Sequence, residues 1–214
     1  MKYILILMLS LMGLNMAQAC FKENQTALNT LLDVTGDSFY YQKDSVCERL
    51  QSFDSASYNK LYLEEVLAIH AYTENAYYKG INKVLRGRGV TKEDRARYTP
   101  IIDLMKSGLK KLPVYKGDVI RWVTWSQTSL KRLKVGSTKV FKAFTSSSKK
   151  PNFTWSGNTK LKIKSIKAHF IGMISQFPAE EEVLFPANSR FRVTDVELSL
   201  CSGCKSVVEL EQVE

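Results

Sequence analysis

The spacing of apolar residues changes once along this chain, near residue 113. Between residues 58 and 85, Leu61, Leu63, Val66, Leu67, Ile69, Tyr72, Tyr77, Ile81 and Leu85 recur mostly three or four apart, the interval that draws an apolar stripe along a helix. An interruption at Thr73-Glu74-Asn75 predicts two helices, with Thr73 or Asn75 as the N-cap of the second, and Gly87-Arg88-Gly89 stops it. A further helix is predicted over about 92–111, carrying Ile101, Ile102, Met105 and Leu109, with Pro100 limiting how early its regular part begins. Beyond Pro113 the runs become short and β-branched or aromatic, at 119–123, 139–144, 161–166, 182–185, 191–198 and 206–210, with Gly, Ser, Asn and Pro between them. Helices first and strands later predict an α+β fold rather than an alternating α/β one.

The first residues carry a different signal. Lys2 precedes an apolar stretch over 4–12, broken only by Ser10, and Ala17-Gln18-Ala19 follows. This pattern predicts a secretory signal peptide over 1–19, cut after Ala19. Residues 20–214 are then expected to form one domain, with a helical half at about 20–112 and a strand-rich half at about 113–214. Ala17 and Gln18 stand where lipid-attachment sites prefer a large aliphatic and a small residue, so the chain is read as secreted rather than periplasmic or lipid-anchored. No later stretch is long and apolar enough to cross a bilayer, so it is not read as an integral membrane protein.

Export makes the four cysteines candidates for two disulfides, for which three pairings exist; Cys20 with Cys47 and Cys201 with Cys204 is the favoured set. Cys201-x-x-Cys204 lacks the following helix pattern of a redox motif. Zinc would lack partners, since the histidines are His70 and His169 alone, and no metal is expected.

The formal net charge of +10 becomes +9 once Lys2 leaves with the signal peptide. A basic surface favours anionic partners, whether phosphates, nucleic acid, lipid or an acidic protein. Ten lysines fall within 131–167, but Lys160, Lys162 and Lys164 alternate with Leu161 and Ile163, as on the wet face of a half-buried strand.

Candidate chemistry stands in three places. Glu180-x-Glu182 runs from an aromatic-proline turn, Phe177-Pro178, into the apolar run of 183–185, with Arg190 and Arg192 beyond. Carboxylates two apart on an extended segment face the same side and raise each other's pKa, an arrangement that suits a cationic or proton-exchanging partner. Arg121 lies inside an apolar run, and Thr145-Ser146-Ser147-Ser148 is a hydroxyl cluster after Phe144.

In this order, behind a helical half containing Tyr72-Thr73 and Tyr78-x-x-x-Asn82-x-x-x-Arg86, the three resemble the arginine-serine-glutamate class of mono-ADP-ribosyltransferases, which includes secreted bacterial toxins. The resemblance spans about residues 60–200. Two departures stand out: Ile120 and Trp122 flank Arg121 where the family often has Tyr and Gly, and Ser147 replaces a threonine. The resemblance implies N-terminal helices packed on a split β-sandwich, NAD+ as co-substrate, and transfer of one ADP-ribose to an arginine of a protein target. Arg121 would bind the NAD phosphates, a task that suits a guanidinium that stays charged. Ser146 would order the nicotinamide end and hold Glu182, with Ser148 nearby, and Glu182 would be the central catalytic carboxylate. Glu180 would face the acceptor, with Phe177 in the recognition loop. Tyr78 and Asn82, four apart on one helical face, would approach the nicotinamide mononucleotide half of NAD, and Phe153 with Trp155 would wall the nicotinamide. Two alternatives remain beside transfer: NAD hydrolysis as the main activity, and a catalytically silent basic secreted binding protein, for which Ile120 and Trp122 speak. The protein is read as a monomer without a specific nucleic-acid partner. Action inside another cell would need a separate delivery partner.

Overall fold

The computed structural model describes residues 20–53, 55–199 and 204–214. The expected signal peptide, and Cys201 of the second expected disulfide, lie outside the described residues. The first half runs α1 (Gln25–Thr35), a 3₁₀ turn (Asp37–Tyr41), α2 (Gln42–Phe53), α3 (Ser55–Tyr58), α4 (Leu63–Thr73), α5 (Tyr78–Arg86) and α6 (Lys92–Lys111). The second half holds β1 (Val114–Val123), α7 (Gln127–Lys131), β2 (Thr138–Phe141), β3 (Thr145–Ser148), β4 (Thr159–Phe170), β5 (Glu182–Phe185), β6 (Ser189–Glu197) and β7 (Ser206–Val213).

Helix α4 is the axis of the helical layer. Every residue from Leu63 to Tyr72 is buried, as befits a helix enclosed on all sides. Its two inward carboxylates are compensated. Glu64 accepts from the Asn24 amide, and Glu65 accepts from Ser107 Oγ at 2.6 Å and Lys111 Nζ at 2.7 Å, which offsets the cost of burying charge. The Cys20–Cys47 disulfide ties the start of the described chain to α2.

The strands form a split β-sandwich. Strand β4 pairs antiparallel with β1 and parallel with β7, and β6 and β2 follow beyond β7. Strands β3 and β5 form a second, short ladder joined to the first through Ile120 opposite Ser148 and through the end of β4. One core lies between the helices and the short ladder, with Phe144, Ile171, Ile174 and Leu184 reaching the helical side. The other lies between the strand layers, around Leu161, Ile163, Phe185, Phe191 and Val208. The α+β expectation and the split-sandwich architecture both hold.

Details depart from the spacing argument in instructive ways. The break after α4 is real, but Tyr77 precedes α5 without a side-chain cap bond. Thr73 Oγ1 is engaged elsewhere, donating to the His70 carbonyl and accepting from the Gln176 amide. Gly87 ends α5 in the left-handed region, at φ 73°. Pro100 sits inside α6, which starts at Lys92 because Thr91 and Asp94 form a reciprocal capping box. The box secures the first turn eight residues before the ring removes a backbone donor.

Candidate active site

The short ladder presents the chemistry. Strand β3 consists of three serines and a threonine, and its alternation separates their hydroxyls. Ser146 is half-buried and lines a cleft of about 540 Å3 between the sandwich and helices α4 and α5, whereas Ser147 is fully buried and its Oγ has no hydrogen-bond partner among the described residues. Ser148 Oγ turns to the backbone, donating to the Glu180 carbonyl at 2.6 Å and accepting from the Lys150 amide. It clamps the loop before β5 and is not part of the cleft lining.

Glu182 opens β5, is 4% exposed, and lines the cleft beside Glu180. The two carboxylates reach one side by a route other than strand alternation. Residues 178–180 form a 3₁₀ turn, and Glu181 then takes a left-handed conformation, φ 48° and ψ 53°, between them, a costly geometry for a residue with a Cβ and one that clusters at functional sites. Desolvation raises the Glu182 pKa to about 7, with the Glu180 charge adding to the rise; hydrogen bonds from Ser146 and Ser175 and the charge of Arg121 oppose it. Ser175 Oγ donates to Glu182 Oε2 at 3.2 Å. Desolvation also raises the Glu180 pKa, against a hydrogen bond from Trp155.

Arg121 leaves β1 toward the short ladder and hydrogen-bonds the Ser146 carbonyl. Burial lowers its pKa, opposed by Tyr72 and Glu182. Arg121 also lines a second cavity of about 360 Å3, which shares Arg86 with the cleft. Tyr72 Oη donates to the Phe144 carbonyl and accepts from Asn82 Nδ2 at 3.1 Å, while Asn82 Oδ1 has no partner among the described residues. Tyr78, Asn82, Trp155 and Phe177 line the cleft, and Phe177 is 44% exposed. Phe153 is not part of that lining. It meets Trp155 edge-on at 5.0 Å, and its carbonyl accepts from Trp122 Nε1. Trp122, the departure beside Arg121, lines the cleft and lies under Lys205, 4.2 Å from the ring centroid.

Sequence reasoning missed the groups that hold the turn before the glutamates. Arg49, on α2, donates from Nε to the Met173 carbonyl at 2.9 Å and from a terminal nitrogen to the Ser175 carbonyl at 3.3 Å. His70 Nδ1 lies 2.6 Å from the Ile174 carbonyl; burial lowers its pKa, so the neutral Nδ1–H tautomer fits. With Thr73 accepting from the Gln176 amide, three side chains from two helices, α2 and α4, grip residues 173–176. Arg49→Met should cost about 2–3 kcal/mol of stability, because charge-assisted bonds to half-buried carbonyls are lost together. A shift in urea midpoint worth under about 0.5 kcal/mol would show that water replaces the guanidinium.

The arrangement offers one desolvated carboxylate held by two hydroxyls, a second carboxylate at the mouth, and a cation between two cavities. It can stabilise positive charge developing in the cleft, accept a proton at its edge, and hold an anion between its two lobes.

Comparison with known proteins bears on the family and the fold. Residues 42–212 match the profile of the family described as NAD:arginine ADP-ribosyltransferase. The NAD(+)–protein-arginine ADP-ribosyltransferase Tre1 of Serratia proteamaculans is 31% identical over 130 residues, covering 61% of this chain and 28% of Tre1. In structure, the type III effector XopAI of Xanthomonas axonopodis pv. citri superposes with a TM-score of 0.70 at 19% identity, covering 100% of this chain and 94% of XopAI. The ADP-ribosyltransferase Vis of Vibrio splendidus, solved with agmatine, superposes with a TM-score of 0.62 at 24% identity, over 84% of this chain and 86% of Vis. The chain spans between 20% and 48% of the length of the curated relatives it matches.

Proposed function

The chain belongs to the NAD:arginine ADP-ribosyltransferase family, and from that premise we propose that it transfers a single ADP-ribose from NAD+ to an arginine side chain of a protein target, releasing nicotinamide. The observation that carries this reading is the pairing of a buried Glu182, bound by Ser175 and Ser146, with Glu180 at the same cleft. Agmatine, which is bound by the structurally similar Vis, is itself a guanidine.

In this reading Arg121 holds the NAD diphosphate, and the nicotinamide riboside enters the cleft beside Tyr78, Asn82 and Trp155. The carbon–nitrogen bond to nicotinamide breaks, and its electron pair leaves with nicotinamide. Positive charge grows on the ribose, and the Glu182 carboxylate, preorganised and dry, binds that charge more strongly as it develops. A guanidinium nitrogen of the target bonds to the ribose carbon, and Glu180 takes up the proton that nitrogen loses. Phe177, exposed at the edge of the cleft, contacts the target. Among the described residues no helix is long and apolar enough to cross a membrane. Export by the signal peptide over 1–19 and action as a monomer complete the proposal, with a separate delivery partner needed only for a target inside another cell; the Cys20–Cys47 disulfide supports the exported setting.

The test is NAD+ consumption by the oxidised protein with and without a small guanidine such as agmatine. ADP-ribosylated agmatine is the expected product. Free ADP-ribose alone would assign the protein to NAD hydrolysis, and no consumption by folded protein would leave a binding role.

The acid limb of the pH profile follows from Glu182. Its ionised form is the active one, and its pKa is about 7 in the free protein, so kcat/KM for NAD+ should fall tenfold per pH unit below about 7. Since the Glu180 charge contributes to that rise, the limb should move to lower pH in Glu180→Gln. A limb fixed near pH 4.5 in both proteins would mean that another group sets it.

A further inference from the structure

The second cavity carries a consequence for which dinucleotide the site accepts, one that rests on the proposed placement of the diphosphate at Arg121. The cavity shares Arg86 and Arg121 with the cleft but is lined by neither Glu180 nor Glu182, so it is where the adenosine end of a dinucleotide held at Arg121 would extend. Its walls are of two kinds. Val123, Trp125, Val140 and Phe141 supply apolar and aromatic surface suited to a base. Trp125 is fixed through its backbone by both amide atoms of Asn158. Arg86, Arg88 and Lys142 supply positive charge; none of the lining residues is acidic, and none of these three cations has an ion-pair partner among the described residues.

Discrimination between NAD and NADP follows a simple chemistry. A carboxylate that accepts a hydrogen bond from the adenosine ribose 2′-hydroxyl repels a 2′-phosphate, whereas an arginine nearby accommodates it. This cavity holds unpaired cations and no carboxylate. We infer that the site also takes NADP+, binding its 2′-phosphate through Arg88 and Lys142 in the cavity beyond Arg121, and so transfers 2′-phospho-ADP-ribose as well as ADP-ribose. The bond broken and the bond formed are those of the NAD+ reaction; the extra phosphate is carried unchanged into the product.

Two measurements test it on the oxidised protein. The first is calorimetric binding of adenosine 2′,5′-bisphosphate against 5′-AMP, which needs no turnover. The bisphosphate should bind about tenfold more tightly or better, as expected for one further charge-assisted contact pair, and the advantage should shrink with added salt. The second is nicotinamide release from NADP+ and NAD+ side by side. The two kcat/KM values should lie within about tenfold of each other, and Arg88→Ala with Lys142→Ala should lower the NADP+ value about tenfold more than the NAD+ value. Equal binding of the two nucleotides, NADP+ turnover below about a hundredth of NAD+ turnover, or equal losses in the double variant would each overturn the inference while leaving NAD+ transfer intact. If neither dinucleotide is consumed, the transferase reading fails, and the nucleotide binding alone decides whether the cavity recognises the second phosphate.

Discussion

Glu182→Gln is expected to lower NAD+ turnover by a hundredfold or more while making the protein more stable at pH 8. The activity loss follows from removing the one negative charge poised to meet the developing positive ribose in a dry site, where such contacts are worth most. The stability gain follows from the same burial. The Glu182 pKa is raised in the folded protein, from 4.5 to about 7, so the fold prefers the protonated acid. Below about pH 4.5 the group is neutral in both states and costs nothing. As the pH rises toward 7 the unfolded chain ionises first, and above 7 the penalty reaches its full value of about 3 kcal/mol. Glutamine keeps the shape and the contact to Ser175 without the charge. Its melting temperature should exceed that of the native protein by several degrees at pH 8, and the difference should vanish near pH 4. A difference that persists at pH 4, or none at pH 8, would show that the carboxylate is not the buried anion described.

Glu180→Gln should separate two activities that share one first step. Glutamine can still accept the Trp155 hydrogen bond, so the loop should keep its shape. It can neither pair with a guanidinium nor take its proton. Transfer to agmatine should fall by about a hundredfold, the scale of a lost proton acceptor, while hydrolysis of NAD+ by water falls far less, because Glu182 and Arg121 are untouched. The ratio of ADP-ribosyl-agmatine to free ADP-ribose at equal NAD+ consumption reads this directly. Equal losses in both products would mean that Glu180 acts on bond cleavage itself and that the acceptor is oriented by another group.

Much of this layout was legible in the order of residues, and the limits have physical causes. Helices α5 and α6 announce themselves because burial of one face imposes a period on the sequence, and α4, though enclosed on all sides, still spaces Leu63, Val66 and Leu67 three and four apart. Strand β3 does not announce itself, since four hydroxyl residues have neither the apolar alternation nor the bulk that marks a strand; tertiary pairing with β5, and with β1 at Ser148, makes it one. Arg121, Ser146 and Glu182 could be proposed because a known family carries them in the same order, and all three line one cleft. Arg49, His70 and Thr73 could not. Each acts on a backbone group more than a hundred residues away, and a bond to a carbonyl or an amide places no demand on which residue supplies it, so it leaves no motif. Ser148 and Phe153 show the converse: a motif fixes the neighbourhood, and local contacts, the Glu180 carbonyl for Ser148 and the Trp155 ring for Phe153, then decide which of its side chains line the cleft.

The grip of α2 and α4 on residues 173–176 bears on how such a catalytic unit can be inherited. Its cleft is a seam: Tyr78 and Asn82 belong to the helical layer, Arg121, Ser146 and Glu182 to the strands, and Arg49 reaches across to support the loop between them. Recombination that exchanged either layer alone would separate the carboxylates from what positions them. The smallest heritable cassette therefore includes both layers and begins no later than α2. The segment that matches the family starts at residue 42, where α2 starts, and the part shared with the curated relatives makes up 20% to 48% of their length.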